Sequence, residues 1–106
     1  EAFKAGRLVN CPIGPTLADG LAGAVDDISF ARARDVVDEM LLVEEAAIPA
    51  AIRALYRFDG IIAEGAAGTP VAAITEGVLE LDGPSVLVIT GGNIDAGRFA
   101  AILTGE

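Results

Sequence analysis

A chain of 106 residues with a formal net charge of -9 and only seven scattered basic residues is poorly suited to nucleic acid, which requires clustered Lys and Arg to displace counterions. With no histidine and a single cysteine, Cys11, it can build neither a Ser-His-Asp or Cys-His catalytic set, nor an internal disulfide, nor a zinc site based on cysteine or histidine. It is 53% hydrophobic, yet no run of about 18 apolar residues is free of charge, so no membrane span is expected and a reduced, cytoplasmic setting fits.

Residues 1–28 read as loop-rich, punctuated by Gly6, Pro12, Gly14, Pro15, Gly20 and Gly23, with a short helical turn within 17–24. Glu1-Ala2-Phe3-Lys4 lacks a signal-peptide pattern. Asp19-Gly20 is a turn signal, because glycine permits positive φ and an aspartate can bond the backbone that follows it. A helix is expected to open at Ser29 as N-cap, beside Asp26 and Asp27, and to run from 30 to about 39 with Phe30, Ala33, Val36 and Val37 on its apolar face. Arg34 and Asp38, four apart, would pair on the wet side. Residues 40–43 then read as a short buried strand.

The next helix spans roughly 46–58, with Ile48, Ile52, Leu55 and Tyr56 inward, Pro49 tolerated in its first turn, and Gly60 as C-cap. Residues 61–63 form a brief apolar link. A third helix, about 67–77, is built almost wholly of small and apolar residues and can pack closely on more than one side. After the turn at Asp82-Gly83-Pro84, the unbroken run 86–90 has the pattern of a parallel strand covered on both faces. At its carboxyl end, where open α/β sheets bind ligands, stand a hydroxyl, two glycines and an amide: Thr90, Gly91, Gly92 and Asn93. Asp95 caps a last helix from 96 to about 103, closed by Gly105, with Phe99, Ile102 and Leu103 toward the core and Arg98 toward solvent.

Three segments, taken in order, carry a likeness: Thr16-Leu17-Ala18-Asp19-Gly20-Leu21-Ala22, Ala63-Glu64-Gly65-Ala66-Ala67-Gly68, and Thr90-Gly91-Gly92-Asn93. Together with Val37-Asp38-Glu39 leading into Leu41-Leu42-Val43-Glu44, they resemble the last third of the fold-type II pyridoxal phosphate enzymes, the threonine and serine dehydratases and the related serine racemases. The resemblance implies an α/β fold: part of a three-layer αβα domain with a parallel sheet, like the tryptophan synthase beta subunit. Residues 1–106 would be the carboxy-terminal portion of its large domain. It implies pyridoxal 5'-phosphate as cofactor and β-elimination of a hydroxyamino acid to a 2-oxo acid and ammonia. An amino-acid racemase on the same scaffold is an alternative that no residue here separates, and a non-enzymatic acidic α/β module with an apolar docking face is a third.

In such enzymes the position of Thr90 is usually a serine whose hydroxyl bonds the pyridine nitrogen, a role that threonine retains. Gly91, Gly92 and Asn93 would shape the ring pocket. Gly20 would let backbone come close to the cofactor, with an ordinary turn as an equal alternative. Glu64 would place a charge beside the ring, or else simply complement a helix start. Lys4, the only lysine, lacks the serine-flanked motif of the lysine to which the cofactor attaches, and no tetraglycine phosphate loop is present. Relatives carry both, and any metal ligands, upstream, so no metal is expected. The chain alone is expected to be inactive and to partner the rest of the same enzyme, which would act on a small amino acid and assemble as a homo-oligomer. Two buried strands with unpaired edges call for the same missing neighbours.

Overall fold

A computed structural model describes residues 1–105. The chain opens with α1 (Ala2–Ala5), stopped by Gly6 in the left-handed conformation, and its Phe3 ring meets Phe30 edge-on at 5.7 Å. A 3-10 turn, Asp19–Leu21, precedes α2 (Asp27–Val36). The N-cap of α2 is Asp26, three residues before the expected Ser29. Its carboxylate accepts from the Ser29 amide at 2.7 Å and from the Ser29 hydroxyl at 3.0 Å, so Ser29 lies inside the first turn as a donor. The helix also ends earlier than 39, because Val37 is already extended. Phe30 is buried, but Val36 is 77% exposed, which narrows the expected apolar face. Arg34 reaches back to the Gly6 carbonyl at 3.1 Å, over the Phe30 ring, instead of pairing with Asp38.

Another 3-10 turn, Glu45–Ala47, runs directly into α3 (Ile48–Ala54) and on through a single π turn, Leu55–Asp59, to Gly60 at φ 68°. Pro49 falls in the first turn of α3, where its missing amide costs no helical bond. Ile48, Ile52 and Leu55 are buried as their spacing requires. Tyr56 lies at the edge, its ring 5.4 Å from that of Phe99. The third expected helix is α4 (Gly65–Thr75), starting two residues before 67 because Glu64 caps it. Pro70 inside α4 cannot donate to the Ala66 carbonyl. The Thr69 hydroxyl does so instead at 2.8 Å, which lets the helix pass the proline. Finally α5 (Ala96–Thr104) is capped by Asp95, which accepts from the Arg98 amide at 2.9 Å, and ends at Gly105 with φ 81°.

The expected sheet does not form: among the described residues none is in a strand. Residues 40–43 and 86–90 alternate in burial as extended chain does. Leu41 and Val43 are half-buried around Leu42 at 87% exposure, and Leu87 and Ile89 are half-buried beside Val86 at 91%. Each is therefore covered on one face, not two. A ladder needs an adjacent strand, and here Glu64 N donating to the Gly91 carbonyl at 3.1 Å is the start of a pairing without its continuation.

Helix α3 is the centre of the packing, lying against both α4 and α5. Ile48 and Ile52 meet Ala18, Ala66 and Ile102, with Leu17, Val43, Ile94 and Phe99 around them. Leu55, Ala63 and Ala67 form a second cluster with Val71 and Ile89. The small residues of α4 are what permit its approach: a Cβ on Gly68 would stand 3.0 Å from Ile52 Cγ1. Arg53 ties α3 to the end of α5 by donating to the Ile102 carbonyl at 2.8 Å. The whole is a slab, 41 × 34 × 19 Å, with a radius of gyration of 14.8 Å against about 13 Å for a globular chain of this length. Among the described residues no helix is long and apolar enough to cross a membrane.

Candidate functional site

Glu64 is the point where the candidate residues converge. Its backbone is extended, and its carboxylate folds back over the start of α4, accepting from the Ala66 amide at 2.8 Å and the Ala67 amide at 2.7 Å. Those two bonds satisfy orphan donors of the helix and place a negative charge at its positive end. The alternative noted for this glutamate, complementing a helix start, is thus a bonded fact, and it also fixes where the charge sits.

Around that carboxylate the backbone comes close on two sides. A Cβ at Gly20 would lie 3.7 Å from Glu64 Oε2, and one at Gly91 would lie 3.6 Å from Glu64 Cγ. Gly65 abuts the Leu17 carbonyl so tightly that a side chain would overlap it. Gly92 serves the packing of the chain itself, since a Cβ there would be 2.5 Å from the Ile62 carbonyl oxygen. A hollow of about 320 Å³ opens beside Glu64, with Leu17, Asp19, Gly65, Asn93 and Arg98 among its walls. Arg98 and Asp19 face each other at 3.8 Å, both largely in solvent, at 55% and 71% side-chain exposure. An exposed pair of this kind adds little stability.

The fold therefore brings Gly20, Glu64, Gly91 and Asn93 into one neighbourhood, although up to 73 positions separate them. Thr90 stands next to it in the chain, exposed, and is not among the residues lining the hollow. Two helix N-caps border the hollow, Glu64 of α4 and Asp95 of α5. The lining side chains include no lysine, cysteine, serine or threonine. The arrangement can hold and orient a polar ligand against backbone, and among the residues lining it there is no hydroxyl, thiol or amine nucleophile.

Sequence reasoning overlooked Arg98 as a wall of this hollow, and it read Asp19 only as part of a turn. Their meeting spans 79 positions, and no local pattern signals it. Glu45 was overlooked as well: it accepts from the Thr16 hydroxyl at 2.8 Å and from the Leu17 amide. A larger, mainly apolar hollow of about 560 Å³ lies between residues 12–22, residues 41–43 and helices α3 and α4. It contains none of the candidate site residues, and it borders the unpaired segment 41–43.

Residues 1–91 match the family described as pyridoxal-phosphate dependent enzyme. Among curated relatives, the chain is 38% identical over 104 residues to an L-threonine ammonia-lyase of Geobacter sulfurreducens, covering 96% of this chain and 26% of that protein. It is 34% identical over 101 residues to a biosynthetic L-threonine dehydratase of Halalkalibacterium halodurans, covering 93% and 24%. A serine racemase of Arabidopsis thaliana is 29% identical over 106 residues, covering 93% and 32%. The chain thus spans only about a quarter to a third of the length of these relatives.

Proposed function

The chain belongs to the pyridoxal-phosphate dependent enzymes, and from that premise we propose that it is the carboxy-terminal portion of the large domain of a threonine or serine dehydratase, supplying one wall of its cofactor site. The observation that carries this reading is the approach of Gly20 and Gly91 to Glu64, beside a hollow that Glu64 and Asn93 line. Glycine backbone meets Glu64 on two sides and two amides immobilise the carboxylate between them, and the hollow beside it would take the cofactor ring.

When bound, pyridoxal 5'-phosphate supplies the electron sink for removal of the α-proton and loss of the β-hydroxyl. The chain's own contribution is to bind and tune. The Thr90 hydroxyl would donate to the pyridine nitrogen of the bound cofactor, where a carboxylate would instead hold a proton on that nitrogen. That contact would make the cofactor a weaker electron sink, suited to loss of a β-leaving group. Gly91 and Asn93 shape the ring pocket beside it, and Gly92 keeps residues 89–92 against Ile62. The attachment lysine and the phosphate-cradling loop come from the remainder of the polypeptide.

The same reading accounts for the missing sheet. Residues 40–43 and 86–90 would become strands on pairing with parallel neighbours in that remainder, completing a three-layer αβα domain. The exposed area supports this: 7615 Å² is about 2,000 Å² more than a compact monomer of this mass shows. We place the intact enzyme in the cytoplasm, as a homo-oligomer acting on a small hydroxyamino acid.

The test is a titration of the intact polypeptide with pyridoxal 5'-phosphate, followed by product analysis on L-threonine and L-serine. A visible absorbance band with release of 2-oxo acid and ammonia is expected. The likeness to a serine racemase favours one second reading, which D-serine as the main product would establish. No band at saturating cofactor would refute both.

A further inference from the structure

Residues 16–20 are pressed against the start of α4: the Leu17 carbonyl occupies the space a side chain at Gly65 would need, and Gly20 leaves only 3.2 Å between a Cβ and Ala66 Cβ. Contact of that kind stops the loop from coming closer but cannot keep it there. The retaining force comes from the other side. Thr16 Oγ1 donates to Glu45 Oε2 at 2.8 Å, the Leu17 amide donates to Glu45 Oε1, and the Ala18 amide donates to Thr16 Oγ1 at 3.0 Å. One carboxylate thus collects two donors from consecutive residues 28 and 29 positions away. Glu45 is itself anchored, because it opens the 3-10 turn Glu45–Ala47 that leads into α3, and α3 packs on α4.

We propose that Glu45 is a positioning residue of the cofactor site, holding residues 16–20 against Glu64 through Thr16 and Leu17 and so fixing that wall of the hollow. Its carboxylate is not among the groups lining the hollow, so it acts through the loop and not on the reacting atoms. Hydrogen bonds to an ionised acceptor are roughly twice as strong as neutral ones, and two carboxylate oxygens match two donors. Glutamine keeps an oxygen for the Leu17 amide but turns its amide nitrogen toward Thr16, whose hydroxyl must then accept. Alanine removes both bonds. This inference rests on the reading of the site given under the proposed function.

The test uses the intact polypeptide that carries this chain. Pyridoxal 5'-phosphate is titrated into wild type, Glu45→Ala, Glu45→Gln and Thr16→Val while the absorbance of bound cofactor is followed. The melting temperature of each cofactor-free protein and the hydrogen exchange of the 17–18 amides are measured alongside. Glu45→Ala and Thr16→Val are expected to bind about tenfold more weakly and to exchange faster at those amides, with Glu45→Gln between them and wild type. Melting temperatures should stay within about 2 °C of wild type. Equal affinity in Glu45→Ala and wild type overturns the positioning role and leaves the site reading intact. An affinity loss that tracks a falling melting temperature and is not restored by glutamine overturns it too, by making Glu45 a general stabiliser. Absence of binding by wild type overturns the site reading and this inference with it. If Glu45→Ala fails to fold, Thr16→Val decides, since it lacks only the hydroxyl: weakened binding at unchanged melting temperature supports the role, and unchanged binding overturns it.

Discussion

At the scale of single residues, the close approach of Leu17 to Gly65 makes a sharp demand. A methyl group there would meet backbone, which cannot rotate aside as a flexible side chain can. Gly65→Ala should therefore destabilise the intact protein by about 2–3 kcal/mol, read as a lowered urea midpoint. Gly14→Ala has open space around it and should stay within about 0.5 kcal/mol. Part of this was legible in the sequence, because Asp19-Gly20 announces a turn on chemistry alone. What the sequence did not carry was who meets whom. Arg98 against Asp19 and Glu45 against Thr16 are contacts between distant segments, and Arg98, Asp19 and Glu45 each look like an ordinary surface charge in their own local window.

Among the elements, those with strong local punctuation came out nearly as expected. Pro49 and Gly60 bound the α3 segment, and Asp95 and Gly105 bound α5, because caps and helix stops are decided within a few residues. Helix α2 was misplaced for the converse reason: Asp26, Asp27 and Ser29 all qualify as caps, and the choice fell to whichever carboxylate could reach an amide three residues on. The Ser29 amide and hydroxyl bonds hold the Asp26 carboxyl below its ordinary 3.8. A depressed folded value means that the cap contributes fully above the unfolded value and is lost as pH falls through the folded one. The Ser29 amide should accordingly exchange faster as pH drops below about 4, after correction for the intrinsic rate. Asp26→Asn should remove that dependence; an unchanged profile in the variant would assign it to another group. The two expected strands do not form a ladder among the described residues. Their hydrophobic runs were real, but a run specifies only that an extended segment seeks cover, and the ladder that makes it a strand depends on chain elsewhere.

For the molecule as a whole, the slab shape and surplus surface give the chain a poorly closed core. Ile52 is wholly buried, yet Leu42, Phe58 and Val86 are almost wholly exposed. Under the proposed function, apolar side chains at such exposure lie on faces that the rest of the protein would cover. Residues 1–106 prepared alone should consequently self-associate and melt without a sharp transition in light scattering and calorimetry, and a monodisperse monomer unfolding in one cooperative step would contradict this. In the proposed site the tip of segment 86–90 presents a hydroxyl to the cofactor ring. A crystal structure of the intact enzyme with pyridoxal 5'-phosphate tests it most directly, through the distance from Thr90 Oγ1 to the pyridine nitrogen. The account predicts about 2.8 Å, a hydrogen bond; a ring lying elsewhere, with another side chain on its nitrogen, would contradict it.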